Sequence, residues 1–126
     1  MSSQKILIVI ASILTIGIIW LSVPNQTGSN IDAVRLENGT QIIHIIAQGG
    51  YSPKQIDAKA DLPTKLEIET KGTYDCSSAL VIPSLNYQKQ LEPNDLTVIE
   101  IPNQQKGKKI TGLCSMGMYN FEIKFS

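Results

Sequence analysis

The sequence predicts an all-β domain, a Greek-key sandwich or barrel, carried behind one N-terminal membrane-spanning helix. Three observations predict it. Residues 6–23, ILIVIASILTIGIIWLSV, form one uncharged apolar run. Helical periodicity is absent after residue 24. In its place, short β-branched or alternating runs recur between Gly, Pro, Asn and Asp punctuation.

Taken in order, the apolar run is the first element. At a rise of roughly 1.5 Å per residue it reaches about 27 Å, just enough for a hydrocarbon core. Lys5 is placed to snorkel at one end and Trp20 to sit near the interface at the other. The run exceeds the ~7–15 residues of a signal-peptide core, and no A-x-A-like cleavage site follows, so a retained anchor over residues 1–23 is expected. Pro24 to Asn30, PNQTGSN, has the composition of a tether, and the linker is placed at 24–36. Asn25-Gln26-Thr27 also fits a glycosylation triplet, meaningful only on a eukaryotic secretory route.

The domain is placed at 37–126. Ile42, Ile43, Ile45 and Ile46 make a β-branched strand that ends at Gly49-Gly50, and Ser52 to Ala58 is a second extended run. Leu66, Ile68 and Thr70 alternate with Lys65, Glu67 and Glu69 in a half-buried strand. Ala79 to Ile82 is wholly apolar and stops at Pro83, and Gln90-Leu91 closes a further piece. Leu96 to Ile101 alternates up to Pro102, Lys108 to Leu113 leads into Cys114, and Tyr119 to Phe125 alternates again. Seven or eight short strands with turns between them describe a sandwich or barrel.

Composition narrows the function. Lys plus Arg equals Asp plus Glu, 11 of each, which leaves no electrostatic case for nucleic acid as a partner. Two cysteines cannot staple a disulfide-dense scaffold, so about 95 residues must fold mainly on an apolar core. No Cys-x-x-Cys, Gly-rich phosphate loop or Ser/His/Asp set is present, and an enzyme is not expected.

The chemistry gathers in Cys114-Ser115-Met116-Gly117-Met118. Of three methionines, two stand here beside one of the two cysteines. Thiolate and thioether are soft donors that select Cu(I) over hard cations. On an extended segment, Cys-x-Met-x-Met puts three sulfurs on one face. In a loop, Gly117 allows a fold tight enough for them to converge. Cys76 is available from another segment, in the Gly72-Thr73-Tyr74-Asp75 loop between two strands. The alternative is that Met116 and Met118 fill gaps in the core. A blue Cu(II) centre needs two histidines, and the chain has only His44, in an isoleucine-rich strand.

Gly49-Gly50-Tyr51-Ser52-Pro53, the Leu66–Ile68 strand, Cys76 before Ala79–Pro83, the Leu96–Ile101 strand and the Cys114–Met118 loop together resemble a cupredoxin-like domain over residues 40–126. With the anchor, the chain is similar to the membrane-anchored cupredoxin-fold Cu(I) chaperones of Gram-positive bacteria (CupA-like). That resemblance implies Cu(I) ligands at Cys76, Cys114, Met116 and Met118, one or two ions, and a role in copper resistance. It implies delivery to the metal-binding domain of a copper-exporting P-type ATPase. Cys76 and Cys114 are expected to bind one ion as a bis-thiolate, with the thioethers completing it or holding a second, weaker ion. A single-pass plasma-membrane location follows. Lys5 leans towards an external domain, whereas free thiols and the ATPase partner favour the cytoplasmic face.

The rival is a Cys76–Cys114 disulfide stapling an extracellular binding module without metal. His44 is expected on a strand face, Asp75 in a turn, and Lys106, Lys108 and Lys109 on a solvated hairpin tip. Tyr74 and Tyr119 flank the sulfur segments.

Overall fold

A computed structural model describes the backbone of residues 3–21 and 33–126, and the side chains of residues 3–13 and 33–126. The tether Pro24–Asn30 and the Asn25 triplet lie outside the described residues. An α-helix, α1, covers Ser3–Leu21, and the described apolar side chains from Ile6 to Ile13 are solvent-exposed. Among the described residues no helix is long and apolar enough to cross a membrane. The membrane-spanning helix predicted from the apolar run thus finds no support in the structure.

The domain is a two-sheet sandwich. Its strands are β1 (Val34–Glu37), β2 (Thr40–Ala47), β3 (Tyr51–Ser52), β4 (Gln55–Ala58), β5 (Thr64–Thr70), β6 (Ala79–Ile82), β7 (Tyr87–Gln90), β8 (Leu96–Ile101), β9 (Lys109–Cys114) and β10 (Asn120–Phe125). One sheet runs β1-β2-β5-β8 with β3 added to β2, and the other runs β4-β10-β9-β6-β7. Two pairings, β2 with β5 and β4 with β10, are parallel, and each links strands joined through the opposite sheet. The chain therefore passes from sheet to sheet, the Greek-key habit expected of short strands with alternating faces.

Alternation decides which side chains enter. Ile43 and Ile45 of β2, Leu66 and Ile68 of β5, and Ile99 and Ile101 of β8 form one inner face. Ile56, Leu80, Ile82, Ile110, Phe121, Ile123 and Phe125 form the other, and together they make one core. Burying each such side chain contributes about 1.5–3 kcal/mol. Gly112 faces Phe121 across the β9–β10 ladder, and a Cβ there would overlap the ring and force it to shift.

Two features depart from the sequence-based expectation. Val34–Glu37, of which all but Glu37 lie in the stretch read as linker, form an edge strand paired with β2. Its one buried flank, Ala33, is too small to announce a strand, and Arg35, Leu36 and Glu37 are exposed. Ser52–Ala58 is two strands in different sheets rather than one run, because the chain turns between Ser52 and Gln55 to change layers.

Candidate metal centre

Cys76 and Cys114 come from different sheets' connections and meet at one end of the sandwich. Cys76 opens a 3-10 turn, Cys76–Ser78, between β5 and β6. Asp75 caps it: its carboxylate accepts from the Ser77 N–H at 2.8 Å and from the Ser77 hydroxyl. The other carboxylate oxygen accepts from the Gly49 N–H at 2.8 Å, tying the turn to the loop after β2. These donors, the Ser77 hydroxyl foremost, outweigh partial desolvation and hold the Asp75 carboxyl below its ordinary range. From beneath, the buried Tyr51 hydroxyl donates to the Ser77 carbonyl at 3.0 Å. The Tyr51 ring meets Phe121 edge to face, centroids 5.1 Å apart, and burial pushes its phenol far up.

Cys114 ends β9, opposite Leu80 of β6, and is wholly buried. The segment after it is a tight turn. The Gly117 N–H donates to the Cys114 carbonyl at 2.8 Å, and Gly117 takes φ +72°, a left-handed conformation glycine adopts freely. The Cys114 N–H donates to the Tyr119 carbonyl at 3.0 Å and the Ser115 N–H to the Ala79 carbonyl at 2.9 Å. The turn is thereby fixed on both sides. Of the two conformations open to the Cys-x-Met-x-Met segment, the loop is the one adopted.

Met116 is 79% exposed and Met118 66% exposed. Side chains so placed contribute nothing to the core, which removes the gap-filling alternative for this pair. Tyr74 is also exposed, while Tyr119 packs against the core.

The structure brings Cys76 and Cys114 together as a disulfide, with Cα atoms 5.8 Å apart across a sequence separation of 38. Of the two cysteines only Cys76 retains any exposure. Among the described residues no group of three or more His, Cys, Asp or Glu could hold a metal ion. The donors at this end are therefore the two cysteine sulfurs and, in the same turn as Cys114, two thioethers. Once reduced, such a set fits a soft monovalent ion and suits hard cations poorly.

His44 stands apart from this set. It lies on the outer face of its sheet, between Glu67 at 3.2 Å and Glu69 at 2.9 Å. Arg35 reaches Glu67 at 2.9 Å and Lys71 reaches Glu69 at 3.7 Å, completing a row of polar side chains. Lys109 opens β9 and Cys114 closes it, so the basic tip lies about 17 Å from the sulfur end.

Tyr51 and Asp75 are the site residues that the sequence signals least. Asp75 is the turn residue expected, but its reach to Gly49 depends on topology. Tyr51 follows Gly49-Gly50 at the start of a strand, and its only advance sign is that a buried phenol needs an acceptor.

Comparison with known proteins agrees with this fold. The metal-binding domain of the Streptococcus pneumoniae D39 Cu(I)-exporting P-type ATPase CopA, solved with Cu(I), superposes with a TM-score of 0.66 at 22% identity, over 74% of this chain and 92% of that one. A copper-binding protein solved by NMR in its apo form also gives 0.66, at 25% identity, over 74% of this chain and 94% of that one. No curated protein matches the sequence. The cupredoxin-like domain family matches residues 10–124, and with the two-sheet sandwich described above this places the chain in that family.

Proposed function

We propose that the protein is a Cu(I) carrier, not an enzyme, which holds copper through sulfur and hands it to a copper-exporting P-type ATPase. One observation carries the proposal. Cys76 and Cys114 are juxtaposed at one end of a cupredoxin-like sandwich, and Met116 and Met118 stand exposed in the adjoining turn. Reduction of the disulfide by a thiol, two electrons and two protons per pair, frees the cysteines to bind one ion as a bis-thiolate. Met116 and Met118 complete that ion or hold a second one less tightly, and the weaker ion is the one passed on. The likeness to a Cu(I)-exporting ATPase's own metal-binding domain supports this trafficking context.

The exposed apolar side chains Ile6, Leu7, Ile8, Val9, Ile10 and Ile13 support a further element of the proposal, a helix that meets lipid. On that reading residues 1–23 anchor a single-pass protein of the plasma membrane, as in the CupA-like chaperones, with the domain on the reducing cytoplasmic face. Anchoring would then raise the local concentration at a membrane acceptor without new contacts. Protease accessibility on intact cells tests the side: digestion of the domain from outside would refute it.

The copper assignment is tested by Cu(I) titration under strict reduction against a competing chelator. Cys76→Ser and Cys114→Ser are expected to lose the tight phase, and a Met116/Met118 double variant only a weaker one. Equal binding by the cysteine variants refutes the site. A second reading is favoured by the disulfide itself: an external, stapled binding module without metal. Thiol counting on protein prepared without reductant, paired with the titration, separates the two.

A further inference from the structure

The turn that carries Cys76 is tied by polar contacts to the segment around β3 on one side and, through Ser78, to Gln90 and Leu91 on the other. The Gly49 N–H donates to Asp75 Oδ2 at 2.8 Å, the Tyr51 hydroxyl donates to the Ser77 carbonyl at 3.0 Å, and the Thr73 hydroxyl donates to the Ala47 carbonyl. Asp75 Oδ1 meanwhile folds the turn on itself through Ser77. Tyr51 is itself fixed, 3% exposed and edge-on to Phe121. Cys114, by contrast, is held by the β6 and β10 ladders on either side of β9. One sulfur therefore sits on a sheet, and the other sits on a turn tied to the β2–β3 segment through the side chains of Asp75, Tyr51 and Thr73.

We propose that Asp75 and Tyr51 are positioning residues of the sulfur pair: they clamp the Cys76 turn to the β2–β3 segment so that its sulfur faces Cys114 before any metal arrives. The inference deepens the Cu(I) reading and rests on it for its metal arm. Neither side chain is a donor to the ion; Asp75 ends on Gly49 and Ser77, and Tyr51 ends on Ser77. They act by removing the ordering that a loose turn would otherwise undergo on binding, a cost that weakens affinity without changing the ligands. The same ordering favours closure of the disulfide over the open dithiol, since both reactions need the two sulfurs side by side.

The experiment uses the full chain and three readouts: Cu(I) affinity against bathocuproine disulfonate under anaerobic reduction, the dithiol–disulfide equilibrium in a glutathione buffer without metal, and the thermal midpoint. Tyr51→Phe removes one hydroxyl at constant shape, so it remains informative if an Asp75 variant fails to fold. Tyr51→Phe and Asp75→Ala are each expected to weaken Cu(I) binding about tenfold, and to shift the equilibrium towards the dithiol by a similar factor. Asp75→Asn keeps the acceptor for Ser77 and loses that for Gly49, and should fall between Ala and the parent. The control is Gln41→Leu, at the opposite end of β2, where the buried amide bonds Lys59 and Thr64. It is expected to lower the midpoint and leave both sulfur readouts unchanged. Parent-like binding and oxidation in Tyr51→Phe and Asp75→Ala would overturn the proposal. So would an equal loss in Gln41→Leu, which would mark a general effect of stability. If the parent binds no Cu(I) yet the equilibrium shifts as expected, the copper reading fails and the clamp stands.

Discussion

Reducing the Cys76–Cys114 bond removes a cross-link from the unfolded chain, and the size of that effect follows from the loop it closes. A sequence separation of 38 corresponds to about 4 kcal/mol in the chain-entropy description. For a domain of this size, each 1 kcal/mol moves the midpoint by about 4–8 °C, so the reduced, metal-free protein should melt roughly 15–30 °C below the oxidised one. It should remain folded at 25 °C, because the Ile, Leu and Phe core from both sheets is untouched. On the proposed function, Cu(I) bridging the same two sulfurs would tie the same loop. At a free concentration of 100 times Kd, binding to the folded state alone returns about 2.7 kcal/mol, or roughly 10–20 °C. Circular-dichroism melts of the oxidised, reduced and reduced-plus-Cu(I) forms supply the three values. A reduced protein that gains nothing from Cu(I) would refute the reasoning, as would an equal gain in a Cys76→Ser/Cys114→Ser variant.

Other expectations follow from single features. Gly112→Ala places a Cβ into the Phe121 ring and should destabilise the domain by about 1–3 kcal/mol, read as a shift in denaturant midpoint. After mild reduction, iodoacetamide should modify Cys76 well before the wholly buried Cys114, with peptide mapping as the readout. Partial burial pushes the Glu67 carboxyl up, but hydrogen bonds from Arg35 and His44 outweigh it and leave the group below its ordinary value near 4.5. A lowered folded pKa means stability that is present above about 4.5 and lost as pH falls through the folded value. Glu67→Gln should therefore flatten the acid limb of the stability curve, by less than about 1 kcal/mol, since its Arg35 partner is solvent-exposed and screened. Unchanged acid sensitivity would contradict the assignment.

Most of the sandwich is legible because its strands alternate. Leu66-Glu67-Ile68-Glu69 and Phe121-Glu122-Ile123-Lys124 declare one buried face each, and period-two patterning is a local signal. The edge strand β1 escapes it because an edge buries little; Val34–Glu37 reads polar and is held by the ladder to β2. The sulfur pair is legible as chemistry, since soft donors in a polar loop have few structural uses. Its geometry is not, because Cys76 and Cys114 meet through topology. Nothing near Tyr51 in sequence hints at Ser77, 26 positions away, which its hydroxyl supports. The disulfide and the metal reading use the same two residues, so spacing alone left both open. The membrane helix is the opposite case: residues 6–23 are apolar in sequence, yet among the described residues no helix meets the requirements of a span.

The central claim is that copper is bound by sulfur alone, and X-ray absorption at the copper edge of the reduced, Cu(I)-loaded chain tests it most directly. A first shell made only of sulfur scatterers near 2.3 Å, as for metal–thiolate bonds in general, and lost in Cys76→Ser/Cys114→Ser, is the result predicted. A shell of nitrogen or oxygen, from His44 or the carboxylates around it, would contradict it.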